Sequence, residues 1–359
     1  MNAFTLMNSK TALIFYSVRS TFVQKDIEIL SAQFTVLEFD FYSKKKIGFI
    51  WSFMKQKFFL LKNILRADLL ICEFAGYSSF LPALYGRLFG KPCLIVVGGT
   101  DAHYFPGVGY GNWQKKGLKL FTKASFRLCS HIAPKHKSLM LSGYHYDETE
   151  PQQQGIYARM PGLKTPYTEI PNGYDAAKWK CIEAKKKNTF ITVANGWEYG
   201  FQKQLKGIDL ILKVAPLFPD CEFAILGVND PAMFPGLPSN VKTMPGVKNS
   251  ELPGIFSSFE FYLQLSMAEG FPNSICEAML CECIPIGSDV FSIPEIIGDS
   301  GFVVKKRDVD VLKQVIEQAL VCDNAALMKK ARARIADNYT LTQRNDKLLQ
   351  LCEKMVETD

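Results

Sequence analysis

Residues Phe259-Glu-Phe-Tyr-Leu-Gln-Leu265 alternate as a β-strand does. They run into Glu269-Gly-Phe-Pro-Asn-Ser-Ile-Cys-Glu277, and the segment from Ser274 to Cys283 then reads as a helix. The apolar stretch Ile284-Pro-Ile-Gly287 reads as the next strand. Strand, loop, helix, strand is the crossover unit of a parallel sheet, and its handedness leaves few topologies open. The pattern places Glu269 in the loop at the carboxyl end of a strand and Glu277 one turn into the following helix. The crevice at that end is where open α/β sheets bind ligands.

The residue types there suit an anionic ligand. Gly270 permits close backbone approach. The amides of Asn273 to Cys276 are first-turn donors without partners inside the helix, which is a place for phosphate. Glu277 is placed to accept hydrogen bonds from sugar hydroxyls, and Glu269 to face charge developing at a reacting carbon. A second reading stands beside this one. Ser274-Ile-Cys-Glu277 has the spacing of a capping box, in which the two side chains satisfy each other's backbone amides. That reading leaves Glu269-Gly-Phe-Pro unexplained.

A chain of 359 residues, 48% hydrophobic, is long for one core and comfortable for two domains. No segment reaches the ~20 apolar residues of a membrane span. Thr11 to Val18 reads as a first strand and not as part of a leader, so a cytoplasmic location is expected. The ten cysteines are scattered, apart from Cys281-Glu-Cys283, which argues against zinc and against a disulfide framework. The net charge of +7 fits an anionic substrate, an anionic membrane surface or nucleic acid. No nucleic-acid motif accompanies it, so no nucleic-acid partner is expected.

The segment from Lys44 to Lys62 mixes Trp, Phe, Leu and Ile with spaced lysines. It reads either as an interfacial helix facing anionic headgroups or as a domain helix with a solvated basic face. Cys93-Leu-Ile-Val-Val-Gly-Gly-Thr-Asp101 is a strand running into a glycine loop. Gly99, Asp101 and His103 fall at its crevice end, and Asp101 equally suits a turn cap.

Glu269 to Met279 resembles the signature of the retaining glycosyltransferases of family four, in which a Glu-Gly-Phe turn leads over seven residues to a second Glu followed by Ala-Met. The likeness continues through Pro285-Ile-Gly-Ser288 and Ile293-Pro-Glu-Ile-Ile297. Ile170-Pro-Asn-Gly-Tyr-Asp175 resembles the family's Ile-Pro-Asn-Gly-Val-Asp, and Lys206-Gly resembles its Lys-Gly element. The likeness is strong in the second half and loose in the first. The glycine pair expected after the first strand is Arg19-Ser-Thr-Phe22 here, and Gly98 stands where a His is usual. The family has an arginine a few residues before this lysine; the loop from Asn195 to Leu205 carries none, and Lys203 is the candidate substitute.

The resemblance implies an α/β chain of GT-B fold, two doubly wound Rossmann-like domains facing a central cleft. The acceptor-side domain is expected over 1–175, a linker over 176–188, the nucleotide-sugar domain over 189–336, and a helix over 337–359 crossing back. The implied activity is retaining transfer of a sugar from a nucleotide-diphosphate sugar to a glycan or lipid-linked acceptor, in surface polysaccharide synthesis. Glu269 and Asp101 would act at the reacting centre. Glu277, Lys206, Lys203, Gly270, Phe271, Asn273, Ser274 and Val247 would hold the donor, with Gly99 and His103 on the sugar or acceptor side. No cofactor is expected and no metal is required, and no Asp-x-Asp motif is expected that would suggest one. An anionic membrane surface reached through 44–62 is a further expected partner, which would make the protein peripheral on the inner face of the membrane. A nucleotide-sugar epimerase and a non-catalytic membrane-associated scaffold on the same fold are the alternatives.

Overall fold

The computed structural model describes residues 10–41, 46–194, 202–230, 232, 234 and 236–357. In the first half, short apolar runs form β1 (Thr11–Tyr16), β2 (Thr35–Asp40), β3 (Leu69–Glu73), β4 (Cys93–Val97) and β5 (His131–Pro134). They pair in parallel in the order β2-β1-β3-β4-β5. Every residue of β3 and β4 is buried, as a parallel sheet covered on both faces requires. One face packs α2 (Lys46–Asn63), α3 (Tyr77–Phe89) and α4 (Lys116–Leu128) through Leu60, Ala83 and Phe126. The other packs α1 (Thr21–Leu30), whose first turn is capped by Ser20 accepting from the amide of Val23.

A small antiparallel ribbon, β6 (Ser142–Gly143) with β7 (Gln153–Gln154), is followed by α5 (Ile156–Arg159). The second sheet holds β8 (Lys186–Val193), β9 (Glu222–Leu226), β10 (Val241–Met244), β11 (Phe259–Gln264), β12 (Ile284–Ser288) and β13 (Phe302–Val304). Its order is β10-β9-β8-β11-β12-β13, all parallel. Counted within this half, that is third, second, first, fourth, fifth, sixth, the dinucleotide-fold order, which reverses between β8 and β11. The expected linker, 176–188, therefore ends inside β8.

Around this sheet lie α6 (Gln202–Leu205), α7 (Ile208–Val214), α8 (Leu252–Ser258), α9 (Asn273–Leu280), α10 (Ile293–Ile297), α11 (Val309–Leu320) and α12 (Asn324–Asn338). The last helix, α13 (Leu341–Glu357), crosses back and buries Leu348, Leu351, Cys352 and Met355 against α1 and the first sheet. Its Arg344 forms a buried pair with Asp26 of α1, at 2.5 and 2.6 Å, and also donates to the carbonyls of Ile170 and Pro171. Among the described residues no helix is long and apolar enough to cross a membrane. The expectations for Lys44, Lys45 and the loop over 195–201 lie outside the described residues.

Candidate active site

Helix α9 begins at Asn273, with Pro272 at its N-cap and no side chain capping it. The capping-box alternative is therefore set aside. The Ser274 hydroxyl donates instead to Gln264 Oε1 at 3.2 Å. Gln264, buried at the carboxyl end of β11, passes the connection on: its Nε2 donates to Glu269 Oε1 at 3.1 Å and to the Ser266 hydroxyl at 2.7 Å. Ser266 also donates to Glu269 Oε1, at 2.8 Å, and the Lys206 ammonium meets the same oxygen at 2.5 Å. One carboxylate oxygen thus takes three donors, beside the point where the strand order reverses.

Lys206 reaches this position because the chain breaks there. α6 ends at Leu205 and α7 starts at Ile208, leaving Lys206 and Gly207 between the two helices. Gly207 between them has φ +70°, and a Cβ there would lie 2.2 Å from the carbonyl of Leu265. Lys203 points elsewhere, with its ammonium 4.9 Å from the centre of the Phe234 ring. Lys203 is expected to stand in for an arginine beside Lys206, and the structure gives the two ammonium groups different partners.

The first domain meets this group backbone to backbone. A Cβ on Gly270 would fall 1.9 Å from the carbonyl oxygen of Gly98, and one on Gly99 would lie 3.3 Å from the amide nitrogen of Gly270. His103 Nε2 donates to the carbonyl of Glu269 at 3.2 Å, and its ring centre lies 4.0 Å from that of Phe291. Burial pushes the His103 pKa down to about 4, so the ring is neutral at physiological pH. Nδ1 then carries a lone pair with no partner.

Asp101 is corrected. It is fully buried, and both carboxylate oxygens accept backbone amides, from Gly98 and Gly99 on one and Ala75 on the other. Burial raises its pKa and the amides oppose the rise. It organises the glycine loop, with both of its oxygens taken up by backbone amides.

Glu277, in the second turn of α9, lines a separate crevice of about 190 Å³ with Lys25, Asn172, Lys178, Asn249 and Asn273. Burial pushes its carboxyl up to about 7, against the pull of Lys25 and Lys178 and a hydrogen bond from Asn249. Lys178 donates to Asn249 Oδ1 at 2.9 Å. Asn273 Oδ1 accepts from the Tyr174 hydroxyl at 2.7 Å and from Asn172 Nδ2 at 2.9 Å, tying the first domain to the start of α9. Phe271 is buried, its ring 5.3 Å from that of Tyr339, and its carbonyl accepts from Asn172. Val247 packs half-buried against the second core, two residues before Asn249.

The structure therefore joins Glu269, Lys206, Ser274, Gly270 and His103 in one group and places Glu277 and Asn273 in the adjoining crevice. Gln264, Lys25, Lys178 and Asn249 are new to the site. Gln264 had a signal, a polar residue at the carboxyl end of the strand that leads into Glu269. The sequence does contain one Asp-x-Asp pair, Asp308-Val-Asp310, contrary to expectation. Asp308 accepts from the amides of Asp310 and Val311 and caps α11.

Two solved structures share the whole architecture. Sucrose-phosphate synthase from Thermosynechococcus elongatus superposes with a TM-score of 0.71 at 13% identity, covering 98% of this chain and 100% of that one. Anabaena Alr3699/HepE, solved in complex with UDP and glucose, gives 0.70 at 13% identity, covering 96% and 100%. At such identity these show the fold, which is GT-B. O-antigen chain mannosyltransferase B of Escherichia coli is 35% identical over 86 residues, 24% of this chain. One of the subunits of phosphatidylinositol N-acetylglucosaminyltransferase from Arabidopsis thaliana is 25% identical over 162 residues, 42% of this chain. These matches span 23% and 36% of the relatives' own lengths. Residues 175–339 match the family model of glycosyl transferases group 1, and this part of the chain belongs to that family.

Proposed function

We propose that the protein transfers a sugar, with retention of configuration, from a nucleotide-diphosphate sugar to a glycan or lipid-linked acceptor in surface polysaccharide synthesis, bound peripherally at an anionic membrane surface through 44–62. The observation that carries the transfer reading is the convergence of Lys206, Gln264 and Ser266 on one oxygen of Glu269 at the switch point of the second sheet. Among the described residues, Lys206 is a cation placed to meet a diphosphate lying there. Donor phosphate would draw Lys206 off Glu269 and leave that carboxylate facing the sugar, where positive charge builds as the glycosidic bond breaks. Glu277 and Asn249 would hold the ribose in the crevice. The leaving phosphate would take the acceptor proton during front-face attack, so no metal is required by this route.

The test is a thermal-shift screen against nucleotide-diphosphate sugars without added metal, since a ligand of the folded state raises its midpoint by mass action. A shift with one base and one sugar is the expected result. No shift with any donor, from a folded sample, turns the reading to a non-catalytic scaffold. Glu277→Ala should weaken donor binding in calorimetry while the fold survives. Unchanged affinity removes Glu277 from the site.

A further inference from the structure

Helix α2 presents an outer face of one kind. Ile50, Trp51, Met54, Phe58 and Leu61 are exposed, as is Leu65 just beyond its end. At ~100° per residue these six fall within a ~100° arc. Lys57 lies at one edge of that arc, and Lys62 and Lys55 at the other, all exposed. This apolar stripe between lysines is the arrangement of a helix lying in a bilayer interface. The neighbouring helices extend it. Across α2, α3 and α4 there are nine Lys or Arg and no Asp or Glu. Leu88 and Phe89 at the end of α3 and Leu120 of α4 are exposed as well. A solvated helix surface normally mixes both signs of charge. An acid-free face with exposed aromatic residues is complementary to anionic lipid.

The other side of the same helix walls a pocket. At the carboxyl edge of the first sheet lies a cavity of about 700 Å³, lined by Val18, Phe41, Phe49, Phe74, Tyr77 and Leu118 among others. Phe49 of α2 stacks edge-on against Phe41 and Tyr77, with ring centres 5.9 and 4.6 Å away. Thr100, beside the Gly99 that touches Gly270, also lines it, so the cavity adjoins the Glu269 group. A saccharide alone has little use for such walls. An alkyl or isoprenyl chain buries apolar carbon against them.

We propose that this pocket holds the apolar chain of a lipid-linked acceptor, taken from an anionic bilayer on which α2, α3 and α4 rest. The word acceptor rests on the glycosyltransfer reading; the lipid site and the docking face do not.

The test has three arms. In sedimentation, the wild type should bind phosphatidylcholine vesicles containing phosphatidylglycerol and not phosphatidylcholine alone. Trp51→Glu with Phe58→Glu, or Lys55, Lys57 and Lys62 all →Glu, should lower that binding by about tenfold or more. These positions are exposed, so the substitutions should leave the fold intact. Vesicle binding equal to wild type in either variant, or no wild-type binding, overturns the docking face. In thermal melts, farnesyl phosphate should raise the wild-type midpoint while inorganic phosphate does not. Val18→Trp, an exposed position at the pocket, should abolish the farnesyl effect. Equal shifts by both phosphates, or an unaffected Val18→Trp, overturn the pocket. Calorimetry with nucleotide-diphosphate sugars is run alongside. Its failure alone would sink the transferase reading and leave the lipid results to stand or fall by themselves.

Discussion

The Glu277 carboxyl makes stability depend on pH in a calculable way. Its ordinary pKa of 4.5 holds in the unfolded chain, while burial in the folded protein raises it to about 7. Between those values the folded state keeps a proton that the unfolded chain has released. The stabilising contribution is complete below pH 4.5 and is lost as pH rises to about 7. At 1.36 kcal/mol per unit, the whole effect is ~3 kcal/mol. Glu277→Gln keeps the shape and removes the ionisation. It should melt near the wild-type midpoint at the acid end and above it at neutral pH. For a unit the size of the second domain, ~3 kcal/mol corresponds to a difference of roughly 6–12 °C. Other groups titrate across the same range, and comparing the two proteins cancels them. The assay is thermal unfolding of both proteins followed across that window. Parallel pH profiles for wild type and variant would refute the reasoning, because they would mean that Glu277 is hydrated or already fully neutralised by Lys25 and Lys178.

Three other outcomes are expected. Gly270→Ala must push the Gly98 loop away by about 1 Å, and misplacement on that scale costs about a hundredfold in kcat; nucleotide affinity in the crevice should change little, and donor turnover beside nucleotide calorimetry separates the two. Lys206→Ala should weaken nucleotide-diphosphate binding by about tenfold, the loss of one charge-assisted contact, whereas Lys203→Ala should leave it nearly unchanged in the same calorimetry. Arg344→Met leaves Asp26 buried without its partner and should cost ~3–5 kcal/mol by denaturant unfolding, and Asp26→Leu added to it should recover most of the loss.

What could be read from the chain follows the length scale of each interaction. The β11–α9 unit was legible because strand period, turn and helix start all lie within thirty residues. The role of Asp101 was not. A carboxylate at a strand end looks the same whether it faces a ligand or three amides, and only the path of the chain through Ala75 decides. Lys203 and Lys206 differ by three positions, yet the break at Gly207 and the distant Phe234 send them to different places. Lys25, Lys178 and Asn249 come from three remote segments and meet only around Glu277. The interfacial and domain readings of α2 were equally open in sequence because both of its faces are apolar. The fold buries one face and leaves the other out.

The return of α13 to the first sheet has a topological consequence. The second domain is inserted into the first, and the chain passes between them twice, near residues 174 and 340. The two passages are paired in parallel, with the Tyr174 amide donating to the carbonyl of Tyr339 and the Leu341 amide to that of Tyr174. A rotation of one domain against the other that kept these two bonds would turn about this double strand, as a door turns on its pin. The Glu277 crevice borders it through Asn172, Gly173 and Leu341, close to the axis, where displacement is smallest. Opening the Gly98–Gly270 contact would therefore disturb little any ligand lying in that crevice.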